Sequence, residues 1–305
     1  MPELRVGPLG WPVAAGSNLL DALNAAGHAV PYSCRAGSCH ACLVRCVAGE
    51  PQDRNPTALG PAKREQGWRL ACQCQVVEDL QVAVFDPLND GINAHLIGCD
   101  WLSAHVLRLR LLAERPLRYQ AGQHMVLWTV DGVARPYSLA SLPQDDVFLE
   151  FHLDCRRPGA FIDRARQLRL GDELRLGEVR AGALHYDPDW QTRPLWLLAA
   201  GTGLAPLWGV LREALRQEHQ GPIRVLHMAD EHYLDEPLRA LADRFPHVLV
   251  EQYPAGEPPP MRLTSRQTIA LVCGSPISVE EFSRRLFLAG LPRSQLYGDV
   301  FVGRG

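Results

Sequence analysis

The stretch Cys34-Arg35-Ala36-Gly37-Ser38-Cys39-His40-Ala41-Cys42, followed by Cys72, decides how the rest of the chain is read. Its spacing, C-x4-C-x2-C…C, is that of a loop bringing four thiolates onto a [2Fe–2S] cluster. Such a loop must wrap closely and turn backbone N–H groups toward the sulfurs, and Ala36, Gly37, Ser38 and Ala41 are small enough to allow it. Zinc also takes four cysteines, but usually from paired C-x2-C knuckles, whereas the downstream pair here is Cys72-Gln73-Cys74. The expected metal ligands are therefore Cys34, Cys39, Cys42 and Cys72. Cys74 is the rival for the fourth place, and zinc is the rival metal. Six of the 9 cysteines lie between positions 34 and 74, and an odd, clustered set argues against a disulfide framework. Cys46, Cys99 and Cys155 are expected to be small buried hydrophobes.

Outward from this loop the chain reads as three segments. In residues 1–86, Ser17 is the expected cap of a short helix with Leu19, Leu20, Leu23 and Ala26 on its apolar face, and a strand over 80–85 closes the segment. Asp86-Pro87-Leu88-Asn89-Asp90-Gly91 is a linker of turn formers. Residues 92–188 look all-β. Leu107, Leu109 and Leu111 alternate with arginines, as do Val147, Leu149, Phe151 and Leu153 with their neighbours, and 125–139 reads as a hairpin turning at Asp131-Gly132. Such short strands suggest an antiparallel β-barrel. Residues 189–305 change rhythm. Apolar runs at 195–200, 223–228, 248–253 and 269–273 alternate with helices from about Leu207, from Pro237 and from a capping box at Ser278–Glu281, the pattern of a parallel α/β sheet.

At 305 residues, two or three domains are the sensible expectation. A formal net charge of −3 supplies no global basic field, so nucleic acid is not an expected partner. No apolar run approaches the roughly 20 residues that cross a bilayer, and residues 1–5 open no signal peptide, so a cytoplasmic protein without membrane insertion is expected.

Two further motifs sit at strand ends. Gly201-Thr202-Gly203-Leu204-Ala205-Pro206 lies between an apolar strand and a helix, where glycines let the backbone approach a pyrophosphate and the helix N-terminus favours the anion. Arg135-Pro136-Tyr137-Ser138 ends the second hairpin strand and, on composition alone, is only a strand end.

With these residues in view, the first segment resembles a plant-type ferredoxin domain of α+β (β-grasp) type, with Arg69-Leu70-Ala71-Cys72 similar to the strand that brings in the last ligand. The remaining two resemble the ferredoxin–NADP reductase superfamily. The whole order is similar to the reductase components of bacterial ring-hydroxylating dioxygenases and soluble monooxygenases. The resemblance implies FAD, with FMN the alternative, held in the barrel. Arg135 would then hold the diphosphate beside Pro136, Tyr137 would pack on the ring, and Ser138 would hydrogen-bond near N5. It places a flavin-phosphate loop at Gly159-Ala160-Phe161, where the family's serine is missing, and brings the strand bearing His152 toward the flavin. It implies NAD(P)H on Gly201–Pro206 and on Cys273-Gly274-Ser275-Pro276, similar to the family's C-G-P-P element. Cys273 would orient hydride transfer, and Phe301, or else Tyr297, would shield the flavin. Asp230 at the end of the second strand of the α/β segment favours NADH over NADPH, because a carboxylate accepts from ribose hydroxyls and repels a 2′-phosphate.

The implied activity is an NAD(P)H:acceptor oxidoreductase. Hydride passes to the flavin, and single electrons pass through the cluster to a redox acceptor protein, an oxygenase or hydroxylase component. The competing expectation is a cluster-bearing redox sensor or binding module whose flavin site has decayed. Cys39→Ser should abolish reduction of the cluster and spare reduction of the flavin by NADH. Stopped-flow absorbance checks this, and loss of flavin reduction as well would refute independent centres.

Overall fold

The computed structural model describes residues 1–180 and 182–302. It divides into two compact units, one of residues 1–92, 126–136 and 175–180 and the other of 93–125, 137–174 and 181–305.

The first unit is built on a mixed sheet whose strands run in the order Leu9–Pro12, Glu3–Val6, Leu80–Val84, Leu43–Ala48, Trp68–Leu70. Glu3–Val6 and Leu80–Val84 are parallel, and their other neighbours are antiparallel. The helix Leu19–Ala25 buries Leu19, Leu20 and Leu23 in the same core as Leu4, Val44, Leu70 and Val82. Its cap is Asn18 rather than the expected Ser17. The Asn18 side chain accepts from Asp21 N at 3.3 Å, while Ser17 pairs with Val76 in a small second sheet. A separate apolar patch in this unit joins Val126, Trp128 and Ala134 to Ala41, Cys39 and Phe85. Phe85 and Trp128 stack with ring centroids 5.8 Å apart. This packing groups residues 126–136 with the N-terminal segment, although sequence order assigns them to the second.

The antiparallel sheet has six strands in the order Ala134–Ser138, His124–Trp128, Glu173–Leu176, Ile92–Trp101, Val106–Ala113, Leu149–Asp154. Ala140 N donates to Glu150 O at 2.8 Å, which carries the ladder from the end of one edge strand toward the other. Val147 falls outside the expected strand. It is 82% exposed, and the strand begins at Leu149, opposite Leu111.

In the second unit a five-stranded parallel sheet runs Val248–Tyr253, Ile223–Met228, Leu195–Ala200, Ile269–Gly274, Leu296–Val300. Its apolar runs do not alternate because both faces are covered. Leu195, Leu197 and Ala199 share a core with the helix Leu204–Arg216, whereas Trp196 and Leu198 share another with the helix Pro276–Leu288. All three helices begin earlier than the sequence suggests: at Leu204 rather than Leu207, at Asp235 rather than Pro237, and at Pro276 behind the cap Ser275 rather than at Ser278. The reason is common to them. Pro206, Pro237 and Pro276 fall in first turns, whose N–H groups have no intrahelical acceptor, so a proline there removes nothing. Of the three extra cysteines expected in the interior, Cys155 is buried but Cys46 and Cys99 are only partly so.

Phe151 is completely buried and lies opposite Leu109 in the antiparallel ladder. Phe151→Ala should lower the free energy of unfolding by about 3–5 kcal/mol, as large aromatic truncations in packed cores do. Urea titration of the purified protein reads the change.

Candidate functional site

The cysteine loop is held open by backbone that few side chains favour. Arg35 and His40 both have φ of +51°, and Gly37 has φ of +85°. In return the amides turn inward. Ala36 N and Cys39 N each lie 3.3 Å from Cys34 Sγ, Cys34 N lies 3.5 Å from Cys39 Sγ, and Gln73 Nε2 lies 3.3 Å from Cys72 Sγ. The loop is tied down around its edge. Arg35 pairs with Asp21 at 2.6 Å and covers the Tyr32 ring at 4.6 Å, Gln73 Nε2 donates to Arg35 O, and Asn18 Nδ2 donates to Cys72 O.

The four thiols meet two by two, Cys34 with Cys39 and Cys42 with Cys72. The Cys39 hydrogen bond, helped by loop amides and opposed by burial, holds Cys34 down to about 4. The Cys42 hydrogen bond likewise holds Cys72 down to about 7. Among the described residues no three Cys, His, Asp or Glu side chains gather as they would around one metal ion. Two thiol pairs suit two irons, each taking two protein thiolates, and the inward amides suit bridging and ligand sulfurs. Cys74, the rival fourth ligand, lies in the apolar core with Val76 and Leu20, and burial pushes its thiol up.

Arg135, Pro136, Tyr137 and Ser138 occupy the strand Ala134–Ser138. Arg135 Nη1 is buried without a hydrogen-bond partner, a costly state for a guanidinium unless an acceptor from outside the chain completes it. A phosphate is such an acceptor, so the residue fits the diphosphate of a flavin dinucleotide. Ser138 is buried, and the Tyr137 ring leans on Phe161 at 5.1 Å. Phe161 is thus a packing residue of the short helix Ala160–Ala165, while Gly159 before it is extended and faces open space. His152 is fully enclosed. Its Nε2 lies 3.0 Å from Glu150 Oε1 and its ring meets Tyr233 edge-on at 5.4 Å. Burial would raise Glu150, but His152 and Arg110 outweigh it and hold the carboxyl at about 2. This pair braces the strand from within.

The glycine turn Gly201–Gly203 opens directly into the helix Leu204–Arg216, with Thr202 between the glycines and Leu204, Ala205 and Pro206 forming the helix's first turn. Gly203 has no room for a side chain, since a Cβ would lie 2.2 Å from Cys273 O, and this contact brings the turn against the end of the strand Ile269–Gly274. Beneath the turn, His227 Nε2 meets Gly201 O at 3.1 Å, and burial holds that imidazole down to about 4, neutral at physiological pH. Cys273 is wholly buried, and burial pushes its thiol well up. In register with it on the last strand is Asp299, whose carboxylate accepts from Ala183 N at 3.2 Å and is likewise raised by burial. Gly274 O accepts from Phe301 N at 2.7 Å, holding Phe301 beside the Cys273 strand end. Tyr297, the alternative aromatic, packs on Trp190 at 5.1 Å and on His185. Ser275 caps the next helix, accepting from Ser278 N, with Pro276 at its first position.

A small open cleft lies at this sheet end, lined by Gly201, Thr202, Ala229, Asp230, Tyr233 and Arg156. Asp230 is the more available carboxylate there, since Glu231 already accepts from Ala104 N at 2.6 Å. Sequence reasoning missed Arg156, His227 and Asp299. Each acts on a residue more than twenty positions away, so no local pattern marks them.

Comparison with known proteins places the chain in a family. Residues 10–77 match the 2Fe-2S iron-sulfur cluster binding domain family. A Ralstonia protein described as the ferredoxin–NAD(P)+ reductase component of naphthalene 1,2-dioxygenase/salicylate 5-hydroxylase systems is 30% identical, over 99% of each chain. The reductase subunit of an Amycolatopsis aromatic O-demethylase is 30% identical over 87% of this chain and 88% of its own. Among solved structures, an Amycolatopsis cytochrome P450 reductase superposes with a TM-score of 0.66 at 23% identity, covering 99% of both chains. The ferredoxin reductase of carbazole 1,9a-dioxygenase superposes with a TM-score of 0.63 at 21% identity, covering 98% of both.

Gly203→Ala should push the turn off Cys273 and weaken NAD+ binding by at least about tenfold, the order expected when charged-group hydrogen bonds are lost. Equilibrium dialysis measures it, and unchanged affinity would remove this contact from the site.

Proposed function

The chain belongs to the family of ferredoxin–NAD(P)+ reductase components carrying a [2Fe–2S] domain, and we propose that it supplies single electrons from NADH to a partner oxygenase or hydroxylase component. It is an NAD(P)H-dependent oxidoreductase with FAD and a [2Fe–2S] cluster. Bound, these groups supply hydride acceptance and the conversion of a two-electron donor into one-electron transfers.

The chain's own residues carry out the binding and positioning. Arg135 neutralises flavin phosphate, Tyr137 offers its ring face, and Ser138 presents a buried hydroxyl that both donates and accepts. Gly159-Ala160-Phe161 forms the remainder of that cradle, with Gly159 leaving space and Phe161 bracing Tyr137. His152 stiffens the strand. Gly201–Pro206 seat the dinucleotide phosphates, Asp230 takes a ribose hydroxyl, and Gly274, Ser275 and Pro276 shape the opposite strand end. Cys273 keeps a neutral thiol at that end because burial disfavours its thiolate, and Phe301 closes the site from the C-terminal side. Cys34, Cys39, Cys42 and Cys72 would hold the cluster through their thiolates.

In terms of function the chain has three modules, residues 1–86 for the cluster, 92–188 for FAD and 189–305 for the nicotinamide nucleotide. No helix among the described residues is long and apolar enough to cross a membrane. Nine free cysteines suit a reducing compartment, and we place the protein in the cytoplasm.

The observation that carries this reading is the buried Arg135 Nη1 with no acceptor in the chain. A cluster-bearing sensor with a decayed flavin site would gain by satisfying or discarding that group. Anaerobic titration of the purified protein with NADH tests the choice. Bleaching of both flavin and cluster bands is expected, whereas a cluster spectrum indifferent to NADH establishes the sensor instead.

A further inference from the structure

Arg156 stands just past the strand Leu149–Asp154, outside every motif that the sequence singles out, yet it reaches the nucleotide cleft. One side of its guanidinium is clamped. Nε lies 3.0 and 3.1 Å from the two oxygens of Asp154, Nη2 lies 2.5 Å from Oδ2, and the Arg156 backbone N donates to the same carboxylate at 3.0 Å. The other side is loosely held. Nη1 makes a single 3.4 Å contact with Asp230 Oδ2, between side chains 45% and 72% exposed. Toward the glycine turn, a Cβ on Gly201 would lie 3.5 Å from Nη2. The guanidinium therefore sits between the turn that seats the dinucleotide phosphates and the carboxylate at the ribose end. Hydrogens on both Nη atoms remain beyond those used by the two aspartates.

This asymmetry has a chemical consequence. Asp230 alone would accept from a ribose 2′-hydroxyl and repel a 2′-phosphate. Paired with Arg156 its charge is offset, and an ion pair this exposed is held weakly enough to open. Released from Asp230 but still clamped by Asp154, the guanidinium keeps its place and offers its fork to phosphate oxygens, the geometry that arginine recognises best.

We propose that Arg156 is a specificity-determining residue that reads the nucleotide's 2′-phosphate, so that one cleft accepts both NADH and NADPH. With NADH, Asp230 takes the ribose hydroxyl and Arg156 stays on the aspartates. With NADPH, Nη1 leaves Asp230 for the phosphate. The inference rests on the cleft being the dinucleotide site.

The test uses the purified holoprotein and two redox-inert probes, ADP-ribose and 2′-phospho-ADP-ribose, titrated calorimetrically. The unaltered protein should bind both. Arg156→Gln should weaken the phosphorylated probe by about tenfold or more, the loss expected for charge-assisted bonds, and change ADP-ribose by less than about threefold. Asp230→Asn should strengthen the phosphorylated probe, and Arg156→Lys should restore part of what glutamine loses. Equal weakening of both probes by Arg156→Gln assigns the residue to the pyrophosphate or to the fold and overturns the proposal. So does no effect on either, or an unaltered protein that binds ADP-ribose alone. An unaltered protein that binds neither probe overturns the underlying assignment of the cleft, a result distinct from all of these.

Discussion

The in-register parallel ladder of the second unit is the constraint from which the nucleotide chemistry follows. Ala199 pairs with Cys273, Cys273 with Asp299 and Ala200 with Met228, so four strands finish level. Their carboxyl ends deliver the glycine turn, the Cys273 strand end, Asp230 and the C-terminal aromatic to one edge, where ligands of open parallel sheets bind. A slip of one residue between Leu195–Ala200 and Ile269–Gly274 would turn Cys273 to the other face and separate Gly203 from the carbonyl it rests on. The ladder is secured by burial on both faces, which is why these strands are apolar without interruption.

Where polar groups are buried they are mostly answered, and the exceptions are informative. Glu150 is surrounded by His152 and Arg110, and His227 spends one nitrogen on Gly201 O. Arg135 Nη1 has no such answer within the chain. A phosphate from outside the chain is the kind of acceptor that would complete it.

The cluster loop shows the same economy at shorter range. Left-handed residues at Arg35, Gly37 and His40 accompany amides turned toward Cys34 Sγ, and Cys72 reaches Cys42 from a separate turn thirty residues downstream. Asn18 serves twice here, capping the helix with its oxygen and holding Cys72 O with its nitrogen. The helix and the fourth ligand are thereby positioned by one side chain.

The sequence by itself determined whatever depends on neighbours along the chain: the spacing of Cys34, Cys39 and Cys42, the strand–turn–helix at Gly201, the alternation of Leu107 to Leu111, and the order of the three segments. These follow from backbone reach and from periods of two or 3.6 residues, which a short window contains. The tertiary structure alone decided that Asn18 and not Ser17 caps the first helix, that Ser275 caps the last long helix, that Phe161 supports Tyr137, and that Arg156 meets Asp230 across 74 positions. Those outcomes depend on strand register and on which side chains lose water together. That free energy belongs to pairs of distant segments, and neither segment carries a mark of it alone.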